Sequence, residues 1–118
     1  MKTALPLSFL PLSPAVLHIL LARIDEDRHG YAIMQEIRTH SEGEYKIGPG
    51  TLYDNLQKMM HQGFVEESHQ AGADEDTRRR YYRLTRLGKN VLAAELNRLE
   101  QIVHAGKMRL KPALGRRG

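Results

Sequence analysis

The segment that most constrains this chain is Gly48–Phe64, GPGTLYDNLQKMMHQGF. Gly48 followed by Pro49 is a helix entry, because proline is pre-set for the first helical position and needs no hydrogen bond there. Gly63 is the matching stop, since glycine adopts the left-handed conformation that closes a helix. Between them Leu52, Leu56, Met59 and Met60 recur at i, i+4, i+7 and i+8, a single narrow apolar stripe. At 100° per residue, Thr51, Asp54, Gln57, Lys58 and His61 point away from it, with Tyr53 and Asn55 on the flanks. The chain therefore has to carry a well-delimited helix on its surface with most of its girth uncovered.

The flanking segments place that helix third in order. Residues 1–12 read as an irregular apolar arm. Ser13-Pro14 is a second capped entry, and the helix PAVLHILLARID carries Val16, Leu17, Leu20, Leu21 and Ile24 at helical spacing. A further helix, YAIMQEIRTH, sets Ile33, Met34 and Ile37 on one side, and Tyr45–Ile47 reads as a short extended piece. After Gly63, FVEES is a strand, HQAGADEDT a polar turn and RRRYYRLT the returning strand, together a hairpin. A long helix follows from Thr85 to about Met108, and KPALGRRG reads as a disordered tail. The expected fold is mainly α with a small β-hairpin. A winged helix-turn-helix domain spans 1–84 (arm 1–12, wing 64–84), a C-terminal dimerisation helix spans 85–108, and a basic tail spans 109–118. In such an arrangement the third helix lies in the DNA major groove; the alternative for any polar stripe is a solvated helix face.

Charge placement matters more than its total of +4. Residues 107–118 carry five basic side chains and no acid, leaving 13 basic against 14 acidic residues in 1–106. Overall basicity is thus no argument for nucleic acid, and local clusters must carry it. One is Arg78, Arg79, Arg80, Arg83, Arg86 and Lys89, either a phosphate-facing ridge at the wing base or a set of partners for Glu66, Glu67 and Asp74–Asp76 on the same hairpin. The absence of cysteine removes disulfides and thiolate chemistry. The six histidines lack metal-ligand spacing, and His18 reads as a core or interface histidine. No nucleophile elbow, phosphate-binding loop or carboxylate pair is present, so neither an enzyme nor a cofactor is expected. Pro6, Pro11 and Pro14 interrupt the apolar N-terminus, which argues against a secretory leader or a membrane span and for a cytoplasmic protein.

Three motifs resemble those of the PadR-like transcriptional regulators: RHGYAIMQEI in the second helix, GPGTLYDNLQKMMHQGFVEE in the third, and RRRYYRLTRLGKNVL after the wing. The likeness covers roughly residues 12–105 and corresponds to the short branch with one C-terminal helix. It implies a homodimeric DNA-binding regulator, usually a repressor, and in some members release from DNA by a small apolar or aromatic effector. It also implies that Gly30 makes the turn into its helix while Tyr31 packs, and that Tyr53 meets the DNA backbone. The DNA-contacting set expected here is Lys46, Thr51, Tyr53, Asn55, Lys58, Arg78, Arg79 and Arg80. Asn suits adenine and Lys suits guanine or phosphate, while Asp54 either accepts from a cytosine amino group or, the commoner case, pairs with Lys58 one turn on. Leu92, Leu96, Leu99 and Val103, spaced 4-3-4 and offset from the seam Leu87, Val91, Ala94, Ile102 and Ala105, are the expected dimer contacts. Pairing of two such chains would set their third helices against two half-sites of a near-palindromic operator about one helical turn apart. A protein-interaction module is the rival reading; its face would need aromatic and aliphatic anchors. Met34, Met59, Met60 and Met108 are the candidates for lining an adaptable apolar effector cavity; the alternative for Met59 and Met60 is the ordinary core.

Overall fold

The computed structural model describes residues 6–24, 26–68 and 80–115. A 3-10 turn, Pro6–Phe9, leads into α1 (Pro14–Leu21), β1 (Arg28–His29), α2 (Gly30–His40), α3 (Pro49–Gln62), β2 (Val65–Ser68), β3 (Tyr81–Leu84) and α4 (Arg86–Gly115). This is a winged helix followed by a C-terminal helix, as the order of the sequence patterns predicts.

The caps act as their residue types require. Ser13 accepts a hydrogen bond from the Val16 N–H at 3.2 Å, and Pro14 opens α1. Gly48 precedes Pro49 at the start of α3, and Gly63 closes it at φ 84. Thr85 caps α4 through its hydroxyl, which accepts from the Gly88 N–H at 3.0 Å.

Four features differ from the sequence reading. α1 ends at Leu21, not Asp25: Arg23 turns left-handed (φ 64), and the Ile24 carbonyl leaves the helix to accept from the Leu84 N–H at 2.7 Å. That detour creates β1, so the sheet has three strands in the order β1-β3-β2. β1 is only Arg28 and His29, paired with Tyr82 and Tyr81, too short for any periodicity to register. Residues 45–47 form no strand. Finally, α4 continues past Met108 to Gly115, so most of the tail expected to be disordered is helical, with Pro112 inside it. The expected polar turn 69–77, with Arg78 and Arg79, lies outside the described residues.

One core joins all the elements. Ile19 and Leu20 of α1, Ile33 and Ile37 of α2, Leu52, Leu56 and Met59 of α3, Phe64 and Val65, Tyr82 and Leu84, and Val91 of α4 are buried together. Each such aliphatic or aromatic side chain contributes about 1.5–3 kcal/mol relative to exposure. The N-terminal arm docks on this core. Phe9 packs edge-on against Phe64, with ring centroids 4.8 Å apart. The Leu12 N–H donates to Glu95 of α4 at 3.1 Å.

Candidate nucleic-acid interface

On α3 the apolar stripe faces inward, with Met60 half-buried at its edge, while Thr51, Asp54, Gln57, Lys58 and His61 are all exposed. Tyr53 is exposed as well. Asn55 is half-buried, and its amide donates to the Thr51 carbonyl at 2.9 Å. The expected Asp54–Lys58 pair does not form; among the described residues neither side chain has an ion-pair partner, which leaves the Lys58 ammonium uncommitted. Lys46 is exposed on the loop entering α3. Thr51, Tyr53, Asn55 and Lys58 thus share one helix, and Lys46 lies just before it.

The wing base is ion-paired. Glu66 sits opposite Arg83 in the β2–β3 register and accepts from its Nε at 2.9 Å, and Arg80 reaches Glu67 at 3.0 Å. For Arg80 and Arg83 the pairing alternative therefore holds in the free protein. All four side chains are solvent-accessible, so each pair contributes at most about 1 kcal/mol and is open to exchange for a phosphate. Arg78, Arg79 and the acidic tip Asp74–Asp76 lie outside the described residues.

Between the start of α2, the middle of α3 and β3 lies a cavity of about 510 Å3. Leu56 and Met60 supply its apolar part, and Tyr31, Tyr53, Gln57 and Arg80 are the polar groups on its walls. His29 sits at its edge as the N-cap of α2, its Nδ1 accepting from the Ala32 N–H at 3.3 Å. Burial pushes the Tyr82 phenol up, and the Glu67 carboxylate adds to this.

The cavity corrects the reading of the His-Gly-Tyr motif. Gly30 is needed because the Tyr53 ring lies across it: a Cβ there would overlap the Tyr53 hydroxyl. Its backbone is ordinary, so no turn demands glycine. Tyr31 does not pack; it is 62% exposed, and its hydroxyl accepts from the Gln35 amide at 3.2 Å. The Gly30–Tyr53 contact joins residues 23 positions apart, which no local pattern discloses.

On α4 the two apolar seams are covered only near the start. Val91 is buried and Leu87, Leu92, Ala94 and Leu99 are half-buried, while Leu96, Ile102, Val103 and Ala105 are exposed. Glu95, 1% exposed, anchors this stretch through Arg98, whose Nε and Nη2 donate to its two oxygens at 2.6 and 3.0 Å. Sequence spacing shows Glu95 and Arg98 only as an ordinary i,i+3 pair; the burial of the carboxylate depends on the arm, whose Leu12 N–H comes from 83 positions away. Between α1 and α4 an apolar groove of about 440 Å3 is lined by Leu20, Leu21, Leu84, Leu92 and Leu96, with Arg23 and Lys89 at its rim. The four methionines do not converge on one cavity: Met59 is in the core, Met34 is half-buried against it, Met60 borders the larger cavity, and Met108 is exposed on the distal part of α4. Among the described residues no helix is long and apolar enough to cross a membrane, and no cluster of three metal-ligating side chains occurs.

Comparison with known proteins is consistent with this geometry. Residues 16–94 match the family described as transcriptional regulator PadR-like. Transcriptional regulator Rv3488 of Mycobacterium tuberculosis is 35% identical over 86 residues, covering 73% of this chain and 76% of that one. A transcriptional regulator from Clostridium thermocellum superposes with a TM-score of 0.66 at 26% identity, over 80% of this chain and 87% of the other. A PadR family transcription regulator from Clostridium difficile gives a TM-score of 0.62 at 26% identity, over 80% and 97%.

Proposed function

The chain belongs to the PadR-like family of transcriptional regulators, and from that premise we propose that it is a cytoplasmic, homodimeric repressor that reads a near-palindromic operator with α3 and performs no catalysis. The observation that carries the reading is the composition of the uncovered face of α3. Thr51, Asp54, Gln57, Lys58 and His61 are hydrogen-bonding and charged groups suited to base edges and phosphates. A face built to dock a protein would display aromatic and aliphatic anchors. Lys58 reaches toward bases, and Asn55 on the flank joins it once its amide exchanges the Thr51 carbonyl for a base edge. Thr51, Tyr53, Lys46 and the arginines Arg78, Arg79 and Arg80 hold the backbone, Arg80 exchanging Glu67 for a phosphate.

Two copies pair through Leu92, Leu96, Leu99 and Val103 of α4. The support is that Leu96 and Val103 are exposed, which is costly for a helix that stays alone in water. The pairing fixes the separation of the two α3 helices. A small apolar effector, where the regulator uses one, has its place in the α1–α4 groove beside that pairing surface.

The test is fluorescence anisotropy on duplex DNA from the region upstream of the chain's own gene, against a scrambled duplex. It is run at two salt concentrations with the full chain and with residues 107–118 removed. Preference for the native duplex by the truncated chain is the expected result. Unselective binding that vanishes with the basic end would make that end the DNA binder and return the protein-docking reading.

A further inference from the structure

Three elements meet at a stack of rings beside α3. His18 of α1 lies face to face with Tyr45, centroids 4.2 Å apart and planes 8° apart. His40, the last residue of α2, lies parallel to His18 at 5.3 Å, and the His18 Nδ1 is 3.1 Å from the His40 Nε2. Tyr45 belongs to the connection from α2 to α3. Its backbone is clamped by Ser41, whose hydroxyl accepts from the Tyr45 N–H and donates to the Tyr45 carbonyl, both at 3.1 Å. The same connection passes through two consecutive left-handed residues, Glu42 (φ 53) and Gly43 (φ 81). The path into α3 is therefore narrow, and the rings hold it against α1.

A hydrogen bond between two imidazoles needs one donor nitrogen and one unprotonated acceptor. The contact survives with no added proton, and with one. With two, both facing nitrogens carry hydrogen and two cations oppose each other at hydrogen-bond distance. Among the described residues His18 interacts only with His40 of α2 and Tyr45 of the connection; α3 and α4, which also pack on α1, bring no charge to it. Glu36, Glu42 and Glu44, the nearby carboxylates in sequence, make no ion pair with either ring. Among the described residues no counter-charge stabilises the doubly protonated pair.

We infer that His18 and His40 form a proton-operated lock on the connection into α3: when the pair takes up a second proton in acid, the two rings part, the Tyr45 segment is released, and affinity for DNA falls. Burial first, and then His40, holds the His18 imidazole below the ordinary histidine value. The sign follows. A histidine kept neutral in the fold stabilises it above about pH 6.5, and that contribution is lost as the pH falls below this value toward the folded one.

The inference rests on the DNA-binding reading, and the experiment separates the two. The histidine ring resonances of the full chain are followed by NMR from about pH 8 to about pH 5.5, assigned with His18→Asn and His40→Gln. Anisotropy on the upstream duplex is measured over the same range at constant ionic strength. Any effect of pH shared by wild type and variants cancels in a ratio, so the quantity read is the affinity of wild type relative to each variant. One proton limits the change to about tenfold per pH unit; we expect this ratio to fall at least about threefold over the range, with the two rings titrating as a coupled pair. A flat ratio, or two independent ordinary titrations, would overturn the lock while leaving DNA binding intact. Should a variant unfold by circular dichroism, the wild-type ring titration decides alone. Absence of duplex binding at every pH would overturn the DNA-binding reading and the lock's effect on it together.

Discussion

Replacing Gly30 by alanine separates DNA contact from stability. The new Cβ falls where the Tyr53 hydroxyl now sits, so one of the two must move. The obstacle is the far end of a side chain that is 44% exposed, and the ring can swing into solvent without disturbing the core. Folding loses part of one ring contact and gains alanine's helix preference over glycine, at most about 1 kcal/mol. The two offset each other, and the thermal midpoint should stay within a few degrees of wild type. Binding has no such compensation. If the Tyr53 hydroxyl donates to a phosphate, displacing it removes a hydrogen bond to a charged group, about 1.5–3 kcal/mol, or roughly tenfold to a hundredfold in affinity. The assay pairs thermal unfolding by circular dichroism with anisotropy on the upstream duplex. Tyr53→Phe, which removes only the hydroxyl, is the comparator and should match Gly30→Ala in binding. Wild-type affinity in Gly30→Ala would refute the reasoning. So would a collapse of stability, because the position would then serve the fold alone.

Other perturbations probe the remaining parts of the interface and its scaffold. At Gly88 a Cβ would overlap the Phe64 carbonyl, which is backbone and cannot swing aside; Gly88→Ala should cost about 1–3 kcal/mol, read as a lower midpoint in urea. The Arg98 guanidinium holds the Glu95 carboxyl below the usual carboxylate range against the opposing effect of burial, with the Leu12 N–H helping. Its contribution to stability is present above that range and lost as the pH falls through the folded value, so melting curves of wild type and Glu95→Gln should converge in acid. Lys58→Ala should weaken binding to the native duplex more than to the scrambled one, as loss of a base contact does, whereas equal weakening on both with a salt slope lower by about one would place Lys58 on a phosphate. Leu96→Glu with Val103→Glu should give a folded monomer in sedimentation, and an unchanged dimer would remove α4 as the pairing surface.

What the sequence disclosed, and what it hid, follows the range of the forces involved. Caps and stripes are local, so Ser13, Gly48, Pro49 and Gly63 mark their helix ends, and Leu52, Leu56 and Met59 mark the buried side of α3. β1 was hidden because two residues make no pattern and their pairing with β3 is decided some fifty positions away. The end of α1 was misplaced for the same reason: Ile24 has helical spacing, yet its carbonyl serves the sheet. On the interface, the bare face of α3 is readable from periodicity, but the Gly30–Tyr53 overlap, the Leu12–Glu95 contact and the His18–His40 contact need the fold assembled first. The ion pairs of Arg80 and Arg83 stood as one of two alternatives, because alternation assigns sides of a strand and not partners across it.

Gly63, Phe64, Thr85 and Gly88 bring the end of α3, the root of the wing and the start of α4 to a single point. The Thr85 N–H donates to the Phe64 carbonyl at 3.0 Å, its hydroxyl turns to the Gly63 and Phe64 carbonyls, and Gly88 lets the backbones touch. A rod of thirty residues leaves that point, about 45 Å long at 1.5 Å per residue. Mechanically this is a lever with its fulcrum at the end of α3: a 5° change of pitch at the joint sweeps the far tip by about 4 Å. Conversely, an arrest of the tip to within an ångström fixes the orientation of α3 to about one degree. A small grip on the distal end of α4 is thereby geared down into fine angular control of the helix at the opposite end of the molecule.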